Sequence, residues 1–219
     1  MCRILIALFL LGDAVTTSQA DAAMFQNRSE LRERSQKLYS DNQFAEALAG
    51  FQQLAVDPEN SDPQLPEDFA QCVNCFQQLG RVNEFDGFLE NVLAAHTGNW
   101  RMLVRVAQTL NGGIDSGGFL IGGQFERGGH RGGGTWASCA ARDRVHALQL
   151  LLKAVPLAEK DDNASGREKS DVYRMLADSI GMPRHSEAWK LQDLTDLTAL
   201  PDYDSDSPGP YGRGRRGRG

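Results

Sequence analysis

The run Asn42-Gln43-Phe44-Ala45-Glu46-Ala47-Leu48-Ala49-Gly50-Phe51-Gln52-Gln53-Leu54-Ala55-Val56-Asp57-Pro58 decides the fold of this 219-residue chain. Its apolar residues Phe44, Ala47, Leu48, Phe51, Leu54 and Ala55 return every three or four positions. A helix turns every ~3.6 residues, so they form one stripe that needs another helix to cover it. Asp57-Pro58 ends the stripe, because proline disfavours helix in the residue before it and has no N–H to donate.

The same pattern recurs on both sides. A weaker copy at Leu31, Ser35 and Leu38 predicts a helix over 27–40, broken from the next, 43–56, by Ser40-Asp41-Asn42. After a polar loop rich in proline and acid, Phe69, Cys72, Val73, Phe76 and Leu79 predict a helix over 67–79, stopped at Gly80. Glycine suits the left-handed turn that closes helices. Phe85, Phe88, Leu89, Val92 and Leu93 predict 83–95, and Trp100, Leu103, Val104, Ala107 and Leu110 predict 99–111. Val145, Leu148, Leu151, Leu152 and Val155 predict about 139–158, and Val172, Leu176, Ala177 and Ile180 predict 168–180. Residues 186–200 read either as a short helix or as an extended segment packed on the last pair. The expected class is all-α, with antiparallel helix pairs stacked as a short solenoid.

Residues 113–138 interrupt this order. Eleven glycines lie between Gly112 and Gly134, too many for a helix interior, so the stretch reads as a Gly-rich insertion between the two helices of one pair. Phe119, Phe125, Arg127, His130, Arg131 and Trp136 place aromatic and basic groups on it. Loops set on rigid helices carry binding contacts, so these six are the candidate partner-binding residues, in a hairpin or lid. The alternative is a flexible decoration without a ligand. A phosphate loop is disfavoured, since no lysine followed by serine or threonine closes any glycine run.

The run 42–58 resembles the second half of a tetratricopeptide repeat, in which an aromatic, a small alanine, a second aromatic and a closing proline take the positions of Phe44, Ala47, Phe51 and Pro58. Gly87 and Ala147 stand at the small position of later units, spacings of 40 and 60 residues against the family's ~34. The family's Trp-Leu-Gly signature is missing. The resemblance implies paired helices over 27–200 and a protein or peptide partner on a concave face. A narrower resemblance rests on Gly123-Gln124-Phe125-Glu126-Arg127-Gly128-Gly129-His130-Arg131-Gly132-Gly133-Gly134, on Arg142-Asp143-Arg144-Val145-His146-Ala147-Leu148-Gln149-Leu150, on Trp189-Lys190-Leu191-Gln192-Asp193-Leu194-Thr195-Asp196-Leu197 and on Leu200-Pro201-Asp202-Tyr203. Together these look like the N-terminal region of very large exported planctomycete proteins that continue into alpha-2-macroglobulin-like domains. No thioester motif is present, so protease trapping does not carry over.

Arg3 precedes the apolar run Ile4–Gly12, and Ala20-Asp21-Ala22 offers small residues at signal-peptidase spacing, so 1–22 reads as a signal peptide and the chain as exported. The run is too short to cross a bilayer, which leaves no integral membrane span once the leader is removed. Residues 201–219 run from Asp202, Asp204 and Asp206 into Arg213, Arg215, Arg216 and Arg218 between glycines, and are expected to be disordered. The net charge of −6 argues against nucleic acid as a partner.

Cys72 and Cys75 have the spacing of a redox dithiol or of half a zinc site, but they lie mid-stripe beside Phe69 and Phe76 and no second such pair exists. Core cysteines are the preferred reading. With Cys139 they leave an odd thiol count after leader removal. His96, His130, His146 and His185 fall at no metal or triad spacing. The sequence therefore predicts no enzyme and no cofactor. It predicts an exported protein-interaction or scaffold module, with a non-catalytic spacer of a larger surface protein as the alternative.

Overall fold

The computed structural model describes residues 10–181 and 197–205, with side chains from residue 24 onward. Residues 1–9 of the expected leader, 182–196 and the tail from 206 lie outside the described residues. The chain divides into two units, 1–75 and 76–219.

In the first unit, helix α1 (Leu10–Ser40) packs on α2 (Phe44–Val56). Thus α1 begins well before residue 27, and residues 10–22 of the expected leader share its backbone. Asn42 makes the turn at φ 59°. Gln43 N–H donates to Leu38 C=O and Asn42 N–H to Tyr39 C=O, the paired bonds by which a left-handed residue closes a helix. The helices run antiparallel, since Tyr39 meets Phe44 at one end and Arg28 meets Asp57 at the other. Midway, Gly50 lies under Ser35: a Cβ on Gly50 would fall 2.0 Å from Ser35 Oγ. Gly50, one turn beyond the alanine the sequence points to, is a point of close approach between the helices.

The acidic loop after α2 is tied by its own side chains. Asp57, Asn60 and Asp62 each accept a backbone N–H two residues on, and Asn60 Nδ2 donates to Leu54 C=O. Arg32 of α1 donates to Asp62 and, through two nitrogens, to Asp68 at the start of α3 (Leu65–Leu79). Burial pushes the Asp68 carboxyl above its ordinary pKa against the pull of Arg32. Cys72 and Cys75 are fully buried on α3, and burial lifts both thiols, Cys75 to about 11.

In the second unit, Gly80 (φ 65°) ends α3 with the same closing bonds as Asn42, Arg81 N–H to Phe76 C=O and Gly80 N–H to Gln77 C=O. A 3-10 turn (Val82–Glu84) leads into α4 (Phe85–Ala95), whose Phe88 meets Phe76 edge to face at 5.5 Å. Then come α5 (Trp100–Gln108), continued by a π turn (Thr109–Gly113), α6 (Ala140–Glu159) and α7 (Gly166–Gly181). Asn99 caps α5 by accepting from Met102 N–H. Arg144 donates to the Ser179 and Ile180 carbonyls while Lys169 reaches the Glu159 carbonyl, so α6 and α7 are antiparallel. Arg101 meets Glu168 and Asn111 meets Ser179, so α5 runs parallel to α7. The buried Arg144 thus answers the carbonyl end of α7, where positive charge is favoured.

The all-α expectation is corrected on one point. Residues 117–138 carry a three-stranded antiparallel sheet, β1 (Gly117–Ile121), β2 (Gln124–Arg127) and β3 (Thr135–Ser138), ordered β2-β1-β3, so the fold is mostly helical with a small sheet inserted between α5 and α6. Three stripe residues also differ: Leu152 and Ile180 are about half exposed and Ala177 is exposed, and Ala147, Leu150 and Ala154 complete the buried face of α6. Among the described residues no helix is long and apolar enough to cross a membrane.

Gly50→Ala gains helix propensity but drives a methyl into Ser35, so we expect it to lower stability by about 1–3 kcal/mol in urea unfolding, with Ser35→Ala restoring part of the loss. A second expectation concerns α7. Ser165 donates its backbone N–H and its hydroxyl to Glu168, Arg101 adds two bonds, and Glu168 is held at about 2 against an ordinary 4.5. A lowered carboxyl pKa contributes stability that is present above its ordinary value and lost as pH falls through the folded one. Stability measured from pH 5 down to pH 2 should fall more steeply in the native chain than in Glu168→Gln.

Candidate functional site

Glycines shape the sheet. Gly122 and Gly123, at φ 57° and 86°, make a two-residue turn between Ile121 and Gln124, a conformation open to glycine at little cost. On Gly117 a Cβ would lie 2.2 Å from the Trp136 ring, and on Gly118 2.7 Å from the Phe125 ring. Successive strand residues face opposite ways, so Trp136 and Phe125 cover opposite faces of β1.

The sequence-predicted residues divide between these faces. On the outer face Phe119 meets Trp136 edge to face at 5.6 Å and His130 at 6.1 Å, and His130 Nδ1 lies 3.5 Å from Glu126 Oε2. Arg131 is exposed in the following turn. The inner face holds Phe125 and Arg127, and Arg127 is no surface contact, being 3% exposed. The structure therefore brings Phe119, His130 and Trp136 together and removes Arg127 to the interior.

Arg127 is the fixed centre of the inner face. Nε and Nη2 donate to Asp86 of α4, Nη1 and Nη2 to Asp143 of α6 at 2.8 and 2.9 Å, and Nη1 also to the Asp115 carbonyl. All five N–H directions of the guanidinium are used. Its carbon lies 5.4 Å from the Phe85 ring centroid. Burial works against its charge, but the bonds to Asp143 and Asp86 outweigh burial and raise its pKa above the ordinary value. The single S–H of Cys139 is shared between the Ser116 carbonyl at 3.1 Å and Asp143 at 3.4 Å, and burial, then the Asp143 charge, push its pKa far up. It is a core thiol and a poor nucleophile.

Beside Arg127 lies a cavity of about 120 Å³, bordered by Asp86, Glu90, Arg142, His146 and Tyr203 among others. Burial lowers the His146 pKa, with Asp143 and Arg142 acting in opposite directions. Leu200 and Tyr203 of the returning segment 197–205 border this cavity. Tyr203 stacks on Phe125 with centroids 4.4 Å apart and planes at 12°, under the Arg142 guanidinium at 5.1 Å. Among the described residues no group of three or more metal-binding side chains gathers.

Sequence reading missed Asp86, Asp143, Arg142 and Tyr203. Their signal in the sequence is only that an arginine among glycines, once buried, needs carboxylates. No protein-family model, curated protein or solved structure matches the chain.

Arg127→Met keeps an unbranched apolar stem, removes the guanidinium and strands two carboxylates, one of them buried. We expect a loss of about 3–5 kcal/mol in chemical denaturation, with Arg131→Met in the exposed turn within about 0.5 kcal/mol of the native chain.

Proposed function

We propose that this chain is an exported, non-catalytic protein-interaction module that binds a protein or peptide, with tetratricopeptide-like helix pairs stacked as a short solenoid beneath a presented sheet. The observation that carries the reading is the outer face of the sheet. Phe119, Trp136 and His130 form one aromatic cluster, partly open to solvent, with Arg131 exposed next to His130 in the chain, and Arg127 pins the opposite face to α4 and α6. A rigid aromatic patch with an exposed arginine adjoining it in sequence has the composition of binding hot spots, because ordering it on binding costs little entropy. Export is supported by the basic residue, apolar run and Ala20-Asp21-Ala22 of the first 22 residues.

A second reading is a non-catalytic N-terminal spacer or folding module of a larger alpha-2-macroglobulin-like surface protein. It is favoured by the charge pairing: Arg32 with Asp62 and Asp68, Arg101 with Asp161 and Glu168, and Arg127 with Asp86 and Asp143 are ion pairs within the fold. Such pairing serves shape.

Capture on the immobilised mature chain, from the extracellular fraction of its own host, separates the two. The Phe119→Ala/Arg131→Ala variant should fold normally and retain its specific partner at least about tenfold less well. A spacer retains nothing specific on either version. Deleting 113–138 is the poorer experiment, since it also removes the Arg127 centre.

A further inference from the structure

Residues 197–205 are seated on the sheet as a ligand strand would be. Ser138 and Asp204 exchange both backbone hydrogen bonds at 2.8 Å in antiparallel sense. This is strand addition to the edge of β3 that β1 leaves open. Cys139 N–H turns inward to the Ser116 carbonyl, so by alternation Ser138 and Trp136 turn their backbone groups outward along that edge. Arg142 Nη1 donates to the Pro201 carbonyl at 3.0 Å, and the Tyr203 ring fills the slot between Phe125 and the Arg142 guanidinium. The contact therefore has one backbone rung, one carbonyl clamp and one aromatic anchor. Main-chain pairing at an edge supplies affinity and a side-chain slot supplies selectivity, the arrangement of domains that bind peptides by adding a strand.

We propose that the β3 edge together with the Phe125–Arg142 slot is a peptide-binding groove, occupied in this structure by the chain's own residues 200–204. Its ligand in trans is an extended segment of a partner protein, with an aromatic residue one position before the residue that pairs with Ser138. The proposal deepens the protein-interaction reading and rests on it, but it uses the inner face and the β3 edge, not the Phe119 cluster. The slot takes an aromatic ring because it is flat on one side and cationic on the other, so stacking and cation–π attraction act on the same ring. The clamp takes a carbonyl, which any residue provides. The tethered strap competes at an effective concentration in the millimolar range, so an external strand binds the native chain weakly until the strap is displaced.

The test uses the full chain and a fluorescent peptide of residues 197–205, Leu-Thr-Ala-Leu-Pro-Asp-Tyr-Asp-Ser. Tyr203→Ala removes the anchor. Asp204→Pro, made separately, removes the N–H that donates to Ser138 and leaves the ring. In each, hydrogen exchange of the Ser138 amide should accelerate while the α6 amides stay as protected as in the native chain. Tyr203→Ala should bind the peptide at least about tenfold more tightly than the native chain does. Binding should disappear with a Tyr→Ala peptide and on adding Arg142→Ala. An unchanged Ser138 amide in both variants overturns the proposal, and so does a freed edge that takes up no peptide. Concentration-dependent dimerisation without peptide uptake, meaning strand exchange between two copies, overturns it as well. Because the exchange and peptide arms do not involve Phe119 or Arg131, they can fail while partner capture by the outer face succeeds, and the reverse.

Discussion

Arg127 has five N–H groups and cannot shed its charge, so once buried it obliges the fold to bring it acceptors from every side. Asp86 comes from α4, Asp143 from α6 and a carbonyl from Asp115 just before β1, so one side chain of β2 ties the sheet to two helices. A glycine-rich segment loses more backbone entropy on ordering than any other, and its short strands bury little apolar surface. The charged anchor holds such a segment in one position where apolar burial alone is thin. The cost is fragility: with Arg127 missing, Asp143 becomes a buried charge without its main partner.

The same anchor gives the sheet its two characters. With Phe125 and Arg127 turned toward the helices, alternation turns Phe119, Glu126 and Trp136 away from them. Gly117 and Gly118 allow a ring on each face to lie against β1 backbone, which any Cβ there would prevent. One face is thereby spent on attachment and the other left for contact. The edge of β3 is a third surface, and the returning segment 197–205 shows what kind of chain it accommodates.

The helices were legible because their stripes are periodic and their ends are punctuated. Gly80 and the break at Asp41-Asn42 were readable as stops, and both prove to be left-handed closing residues. The core position of Cys72 and Cys75 followed from their place within a stripe, and both are fully buried. The strands were less legible. Gly122-Gly123 between Ile121 and Gln124 is a two-residue hairpin signal, but strands of four or five residues, with glycines inside, show too little alternation to outweigh an insertion reading. Leu152 and Ile180 belong to their stripes by spacing and lie exposed, because a stripe states which face is apolar and not how far a neighbour reaches across it.

By itself, the sequence determined most local quantities: where the helices after the start of α1 run and stop, which residues line each stripe, and that aromatic and basic groups gather in the glycine-rich stretch. These depend on residues within a few positions of one another, where backbone geometry fixes who meets whom. Only the tertiary structure decided that Arg127 belongs to the interior with Asp86 and Asp143, 41 and 16 residues away, and that Tyr203 returns to Phe125. Pairings at that range depend on how whole elements pack, and neither charge nor periodicity along the chain records which of several equally suitable carboxylates or rings will be brought within reach.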